Sequence, residues 1–174
     1  SKLFAAEEYT ITPRKGEYYL LDRMTKACPG KVLFPVPNSV SKGMLVIPTV
    51  EGTVLVGPTA EDIHEKDDLS TSSTKLKAIF DSARQMIPKV STKDVITAFS
   101  GLRPALPGGD FYIEASKKVP HFIHVAGIQS PGLTAAPAIG EYVKDILKEE
   151  GLTLQERSDY DPNVNAVPRI RNKN

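Results

Sequence analysis

The chain has 174 residues, a net charge of +1 and one cysteine, with 40% apolar and 25% charged residues. That composition is ordinary for a globular chain long enough to bury a core, and near-neutrality gives no electrostatic pull toward nucleic acid or an anionic membrane. No run of about 18 apolar residues is available to span a bilayer, the N-terminus lacks the layout of a signal peptide, and the lone Cys28 excludes an intrachain disulfide framework and suits a reducing compartment.

Residues 1–15 read as polar and irregular. From Gly16 onward, short apolar runs alternate with Gly, Pro and Asn: Tyr18–Leu21, Val32–Val36, Met44–Ile47 and Val54–Val56. Their β-branched and aromatic content and their length predict strands. Pro29-Gly30 and Pro37-Asn38-Ser39 read as turns, and Glu51-Gly52 reads as a hairpin turn, so the strands are expected to be antiparallel.

Residues 57–70 predict a polar loop. Leu76, Ile79, Phe80, Ala83, Met86 and Ile87 then recur at helical spacing, which predicts a helix over about 71–87, capped by Ser70 or Thr71 and ended by Pro88. Asp94–Leu102, Phe111–Glu114 and His121–Ala126 predict three more strands, with Pro107-Gly108-Gly109-Asp110 as a turn between the first two. Ile139, Tyr142, Val143, Ile146 and Leu147 mark a second amphipathic helix over about 134–149, with Gly151 as its C′ residue. From Leu152 the chain reads as a polar tail or linker.

The fold class predicted is α+β: an antiparallel sheet of about six or seven strands with two main helices. The helix at 71–87 covers one face, and the helix at 134–149 belongs to a neighbouring half. The expected divisions are 10–126, 127–150 and 151–174.

Gly127-Ile128-Gln129-Ser130-Pro131-Gly132-Leu133-Thr134 joins the last strand to the last helix. Small residues there let a large ligand approach the backbone, and the helix start offers unpaired N–H groups and partial positive charge. Together with Phe99-Ser100-Gly101-Leu102-Arg103-Pro104-Ala105-Leu106-Pro107, this segment resembles the C-terminal part of FAD-dependent oxidoreductases of the D-amino acid oxidase superfamily. Leu33–Pro37, Ile47-Pro48-Thr49 and Leu55–Thr59 resemble its glycerol-3-phosphate dehydrogenase and 2-hydroxyglutarate oxidase branch. The resemblance covers about residues 10–150.

The family's G-x-G-x-x-G nucleotide-binding unit does not occur in this sequence. The resemblance therefore implies a fragment of a two-domain flavoprotein, with the FAD-binding half supplied by the rest of the protein or by another subunit. A fragment of this kind is expected to retain FAD poorly, to be inactive alone and to self-associate through uncovered apolar surface. Val167-Pro168-Arg169-Ile170-Arg171 resembles the stretch that precedes an iron–sulfur domain in some relatives.

On this resemblance, Arg103 holds the anionic group of a small substrate, as a planar bidentate fork can. Gly127, Ser130, Gly132, Leu133 and Thr134 approach the flavin. Thr59 lies in a loop that faces the substrate, and His64 in the same loop is the candidate catalytic base. Each residue also has a plainer reading: Arg103 ion-paired at a turn, the Gly127–Thr134 junction as a helix cap, His64 as an exposed loop histidine. His121 and His124, three apart in a strand, point to opposite faces and cannot form a metal pair. The acidic run Glu61–Asp68 lacks cation-loop spacing, so no metal is expected.

The activity implied is oxidation of a small anionic hydroxy substrate such as glycerol 3-phosphate by hydride transfer to FAD. The alternatives are a 2-hydroxy acid or amine oxidase of the same superfamily, or a non-catalytic α+β interaction module. A cytoplasmic location is expected, with peripheral association at the inner face of the membrane as the alternative.

Overall fold

The computed structural model describes residues 8–36 and 43–163. The expected turn at 37–39 and the tail motif at 167–171 lie outside the described residues.

The central element is β1 (Thr12–Leu21), a ten-residue strand. Along one edge it pairs with β3 (Val54–Gly57) and then β4 (Glu61–Asp62); along the other it pairs with β5 (Val95–Ala105). β2 (Leu45–Pro48) lies outside β3. All of these pairings are antiparallel. A separate two-stranded sheet joins β6 (Tyr112–Ala115) to β7 (Ile123–Ala126). Among the described residues, the seven strands thus form two antiparallel sheets rather than one. The Pro107–Asp110 turn, with Gly108 and Gly109 at positive φ, carries the chain from the first sheet to the second.

Period-two alternation in β1 divides the molecule. Lys15, Glu17, Tyr19 and Leu21 face α1 (Ser73–Met86). Tyr19 meets Phe80 edge-on at 4.6 Å, and Leu21, Val46, Val54, Val56, Ile79, Phe80 and Ala83 form the main buried cluster. Two buried charges on this face have partners, as burial requires. Lys15 Nζ donates to Asp68 Oδ2 (2.8 Å) and Ser70 Oγ (3.1 Å). The Glu17 carboxylate accepts the Ser72 N–H at 2.8 Å. The second contact explains a difference from expectation: with its backbone tied to Glu17, Ser72 is the N-cap and takes the Lys75 N–H, and neither Ser70 nor Thr71 does so.

Two expected elements differ. The segment 32–36 contributes only an isolated Leu33–Val46 bridge, because Pro35 has no N–H for a ladder and Phe34 and Val36 are exposed. The N-terminal part is a strand from Thr12, its apolar alternation masked by Arg14 and Lys15. The polar loop at 57–70 also contains the short β4.

α2 (Gly132–Glu149) ends in a Schellman arrangement. Gly151, at φ +90°, donates to Lys148 O (3.0 Å) and Leu152 donates to Leu147 O (2.9 Å). No helix among the described residues is long and apolar enough to cross a membrane.

His124 of β7 is a buried structural residue, 2% exposed. It lies edge-on to Tyr9 and Phe122, with Nε2 3.3 Å from a Glu8 oxygen. Glu8 also accepts from Ser116 Oγ (2.5 Å) and from the Lys117 N–H (3.1 Å). These donors, Ser116 foremost, hold the Glu8 carboxyl at about 2, against an ordinary 4.5. A depressed carboxyl stabilises the fold in full above its ordinary value and loses that contribution as pH falls toward its folded value. Glu8→Gln is therefore expected to lower the melting temperature at pH 7, with the gap to wild type closing between pH 4.5 and 2. A gap independent of pH contradicts this assignment.

Candidate functional site

The opposite face of β1 presents Arg14, Gly16 and Tyr18. Cross-strand register places them opposite Arg103, Gly101 and Phe99 of β5. Tyr18 and Phe99 stack at 5.3 Å with their rings 10° apart. Beyond them opens a cleft of about 710 Å³, lined by Arg14, Tyr18, Thr59, Arg103, Gln129 and Ser130, with Phe34 and Leu45 as apolar wall. Three segments far apart in sequence therefore meet at one cleft: the Leu55–Thr59 stretch, the Arg103 stretch and the junction before α2.

Arg103 is half-buried. Its Nη2 donates to Thr59 O at 2.8 Å and its Nε reaches Arg14 O at 3.5 Å. Burial pushes its pKa down; Tyr18 raises it, Arg14 lowers it and Asp62 raises it. An arginine nevertheless stays protonated. One edge of the guanidinium is thus fixed by backbone carbonyls.

Thr59 supports this arrangement. Pro58 interrupts the ladder between β1 and the β3–β4 edge because it has no N–H. Thr59 repairs the gap: its Oγ1 accepts the Glu17 N–H (3.0 Å) and its own N–H donates to Glu17 O (3.2 Å). The Thr59 hydroxyl oxygen is therefore engaged with β1, and its carbonyl positions Arg103.

Gly16 leaves the space that Arg103 occupies. A Cβ there would stand 2.9 Å from Arg103 Nη2 and 3.1 Å from both Pro58 Cβ and Thr59 O. Gly16→Ala is expected to displace the guanidinium, the flexible member of that set, at a stability cost of about 1 kcal/mol or somewhat more. It should weaken anion binding in the holoprotein several-fold more than it lowers stability would suggest. Full-strength anion binding by Gly16→Ala contradicts the placement.

The junction before α2 has its own geometry. Gly127 has φ +69°, and a Cβ on it would lie 2.3 Å from Leu106 Cδ1. A Cβ on Gly132 would lie 2.5 Å from Ile128 Cγ2. These glycines are demanded by the chain's own packing. Gly132 N–H donates to Gln129 O at 2.6 Å. Pro131 is the N-cap and supplies no side-chain cap. Leu133 and Thr134 therefore stand in a first turn whose N–H groups have no intrahelical acceptor, and the Leu133 side chain is 95% exposed. An uncapped helix start beside Ser130 and Gln129 of the cleft fits the electron-rich edge of a flavin.

His64 does not join the cleft: it is exposed and absent from the lining, in a loop whose later part Lys15 and Glu17 fasten to the other face of β1. Arg14, Tyr18 and Gln129 are lining residues that sequence patterns did not single out. In the sequence, Arg14 and Tyr18 are legible only through strict alternation with Gly16 in a strand that starts at Thr12.

Comparison with known proteins agrees with this architecture. A glycerol 3-phosphate dehydrogenase of Caloramator mitchellensis is 42% identical over 160 residues, covering 92% of this chain and 33% of that protein. A glycerol 3-phosphate oxidase of Mycoplasma genitalium is 31% identical over 161 residues, covering 91% of this chain and 41% of its own length. The structure of dithionite-reduced L-alpha-glycerophosphate oxidase from Mycoplasma pneumoniae with FAD bound superposes with a TM-score of 0.83 at 28% identity, over 94% of this chain and 42% of that one. The chain thus spans between a third and about two-fifths of the length of these relatives. The family described as FAD dependent oxidoreductase matches residues 1–146. By that match, over most of its length, this chain belongs to the FAD dependent oxidoreductase family.

Proposed function

We propose that this chain is the substrate-binding sheet and last flavin-contacting segment of an FAD-dependent dehydrogenase or oxidase acting on glycerol 3-phosphate. The observation that carries the reading is a half-buried guanidinium, anchored on one edge by Thr59 O, in a cleft that also contains Gln129 and Ser130 of the flavin-facing junction. An anion held there lies within reach of whatever docks on the start of α2. The relatives named for glycerol 3-phosphate favour that substrate within the family.

In this reading Arg103 orients the substrate by its phosphate, and Thr59 and Gly16 keep Arg103 in place. Tyr18 and Phe34 form the wall that limits water at the reacting carbon. Bound flavin supplies the two-electron acceptor for the hydride that leaves the carbinol carbon. The hydroxyl proton passes separately to solvent water, and the product is the ketone. Leu133 and Thr134 N–H groups, with the α2 dipole, favour negative charge on the flavin edge they face.

The nucleotide-binding half comes from the same polypeptide or from a second subunit. It would cover apolar residues exposed on α2, Leu133 and Tyr142 among them; without that cover the chain is expected to self-associate. The exposed free thiol of Cys28 suits a reducing compartment such as the cytoplasm.

A substrate panel on the holoprotein, the chain together with its nucleotide-binding half, tests the reading. Glycerol 3-phosphate should show the largest kcat/KM. Preferential turnover of a 2-hydroxy acid or an amino acid keeps the family and overturns the substrate.

A further inference from the structure

The cleft contains a second guanidinium with no assigned role. Register places Arg14 directly opposite Arg103 across β1–β5, and Asp62 directly opposite Arg14 across β1–β4. Asp62, Arg14 and Arg103 thus form one row across three strands, on one face. Like charges directly opposite each other on a sheet repel and are destabilising. A single carboxylate compensates: Arg14 Nε and Nη2 grip Asp62 Oδ1 (2.6 Å) and Oδ2 (3.0 Å). The row retains one net positive charge, and both arginines line the cleft.

Among the described residues, neither arginine has spent its full donor set. A guanidinium has five N–H donors; Arg14 uses two on Asp62, and Arg103 uses two on carbonyls. The ion pair is half-exposed, with side chains 39% and 50% accessible, so it contributes little to stability. What the pair does is hold the Arg14 fork at the cleft wall, with its Nη1 edge free of Asp62.

We propose that Arg14 and Arg103 form a two-arginine clamp for a dianionic phosphate monoester, with Asp62 as the bracket that orients Arg14. This rests on the reading of the cleft as the substrate site and specifies its selectivity. A phosphate monoester carries close to two charges at neutral pH and three acceptor oxygens, enough for two forks. A carboxylate has one charge and two oxygens, which Arg103 alone can satisfy. Arg14 therefore discriminates between the phosphate and carboxylate substrates that otherwise share this fold.

Three variants of the holoprotein test this: Arg14→Gln, Arg14→Lys and Asp62→Asn. The probes are inorganic phosphate, followed by calorimetric titration, and glycerol 3-phosphate, followed by steady-state rates. Arg14→Gln should weaken phosphate about tenfold or more and raise KM for the ester in parallel, the loss falling on KM rather than kcat. Arg14→Lys should restore part of it. Competition by a carboxylate such as glycerate should change much less. Asp62→Asn keeps one acceptor oxygen for the Arg14 fork and removes the neighbouring negative charge, so what it loses in orientation it regains in net positive charge, and it should lose far less phosphate affinity than Arg14→Gln. If Arg14 is only the structural partner of Asp62, Arg14→Gln and Asp62→Asn behave alike, and the clamp is wrong. Unchanged phosphate affinity in Arg14→Gln, or equal loss for phosphate and carboxylate, also overturns it. Phosphate titration needs no turnover, so a wild-type holoprotein that binds phosphate but fails to oxidise glycerol 3-phosphate sinks the proposed activity and leaves the clamp standing.

Discussion

Arg103→Ala in the holoprotein is expected to raise KM for the anionic substrate by about 10- to 100-fold, the equivalent of about 1.5–3 kcal/mol for a charge-assisted hydrogen-bonded contact. The side chain is held before any ligand arrives: Nη2 donates to Thr59 O in the space left by Gly16, and Nε points toward Arg14 O. That preorganisation makes the loss large, since little entropy remains to be lost on binding. Lysine should recover little, because a point charge cannot bridge Thr59 O and a bidentate anion at once. The substitution also leaves the Thr59 carbonyl without its donor, so a fall in stability of about 1–3 kcal/mol accompanies it. Steady-state rates and thermal melting separate the two effects. An unchanged KM removes Arg103 from the site.

Gly127→Ala should be among the most disruptive single-methyl changes in the chain. A left-handed backbone costs a non-glycine residue about 1–2 kcal/mol. The new Cβ would also sit 2.3 Å from Leu106 Cδ1, 2.7 Å from its Cγ and 3.4 Å from Asp110 O. Overpacking of this kind costs about 1–3 kcal/mol more. Leu106 follows the last residue of β5, so relief of the clash shifts the sheet end, the Pro107–Asp110 turn or the junction itself. Two comparisons divide the terms. Gly151→Ala, also at positive φ but with nothing within 4 Å, should cost only the backbone share. Adding Leu106→Ala to Gly127→Ala should relieve the steric share and leave the backbone share, apart from the cost of Leu106→Ala alone. Denaturant melts of the wild type and the four variants, Leu106→Ala alone included, measure this. Equal losses for Gly127→Ala and Gly151→Ala contradict the packing at the junction.

The helices were legible because each carries a one-sided apolar stripe, and α1 buries Ile79, Phe80 and Ala83 as that stripe requires. The hairpin at Glu51-Gly52 was legible because Gly52 at φ +84° meets a turn demand that few residues satisfy. β1 was half hidden. Its first residues carry Arg14, Lys15 and Glu17, and polar side chains on both faces erase an alternation that only tertiary contacts reveal. The split into two sheets was also invisible, since local patterning specifies strands but not which edges meet. In the cleft, Arg103 was legible from its motif, whereas Arg14 is visible only through register.

His64 shows the reverse case. Position in sequence puts it five residues after Thr59, yet Lys15–Asp68 and Glu17–Ser72 contacts tie the following chain to the back of the sheet. His64 itself is exposed and lies off the cleft lining.

Anaerobic addition of glycerol 3-phosphate to the holoprotein tests the central claim most directly. The visible absorbance of the flavin should bleach to the reduced form on addition of the ester and remain unchanged with glycerol, which lacks the anion. Bleaching by both compounds at equal concentration, or by neither, contradicts a cleft in which Arg103 holds the substrate against the flavin through its charged group.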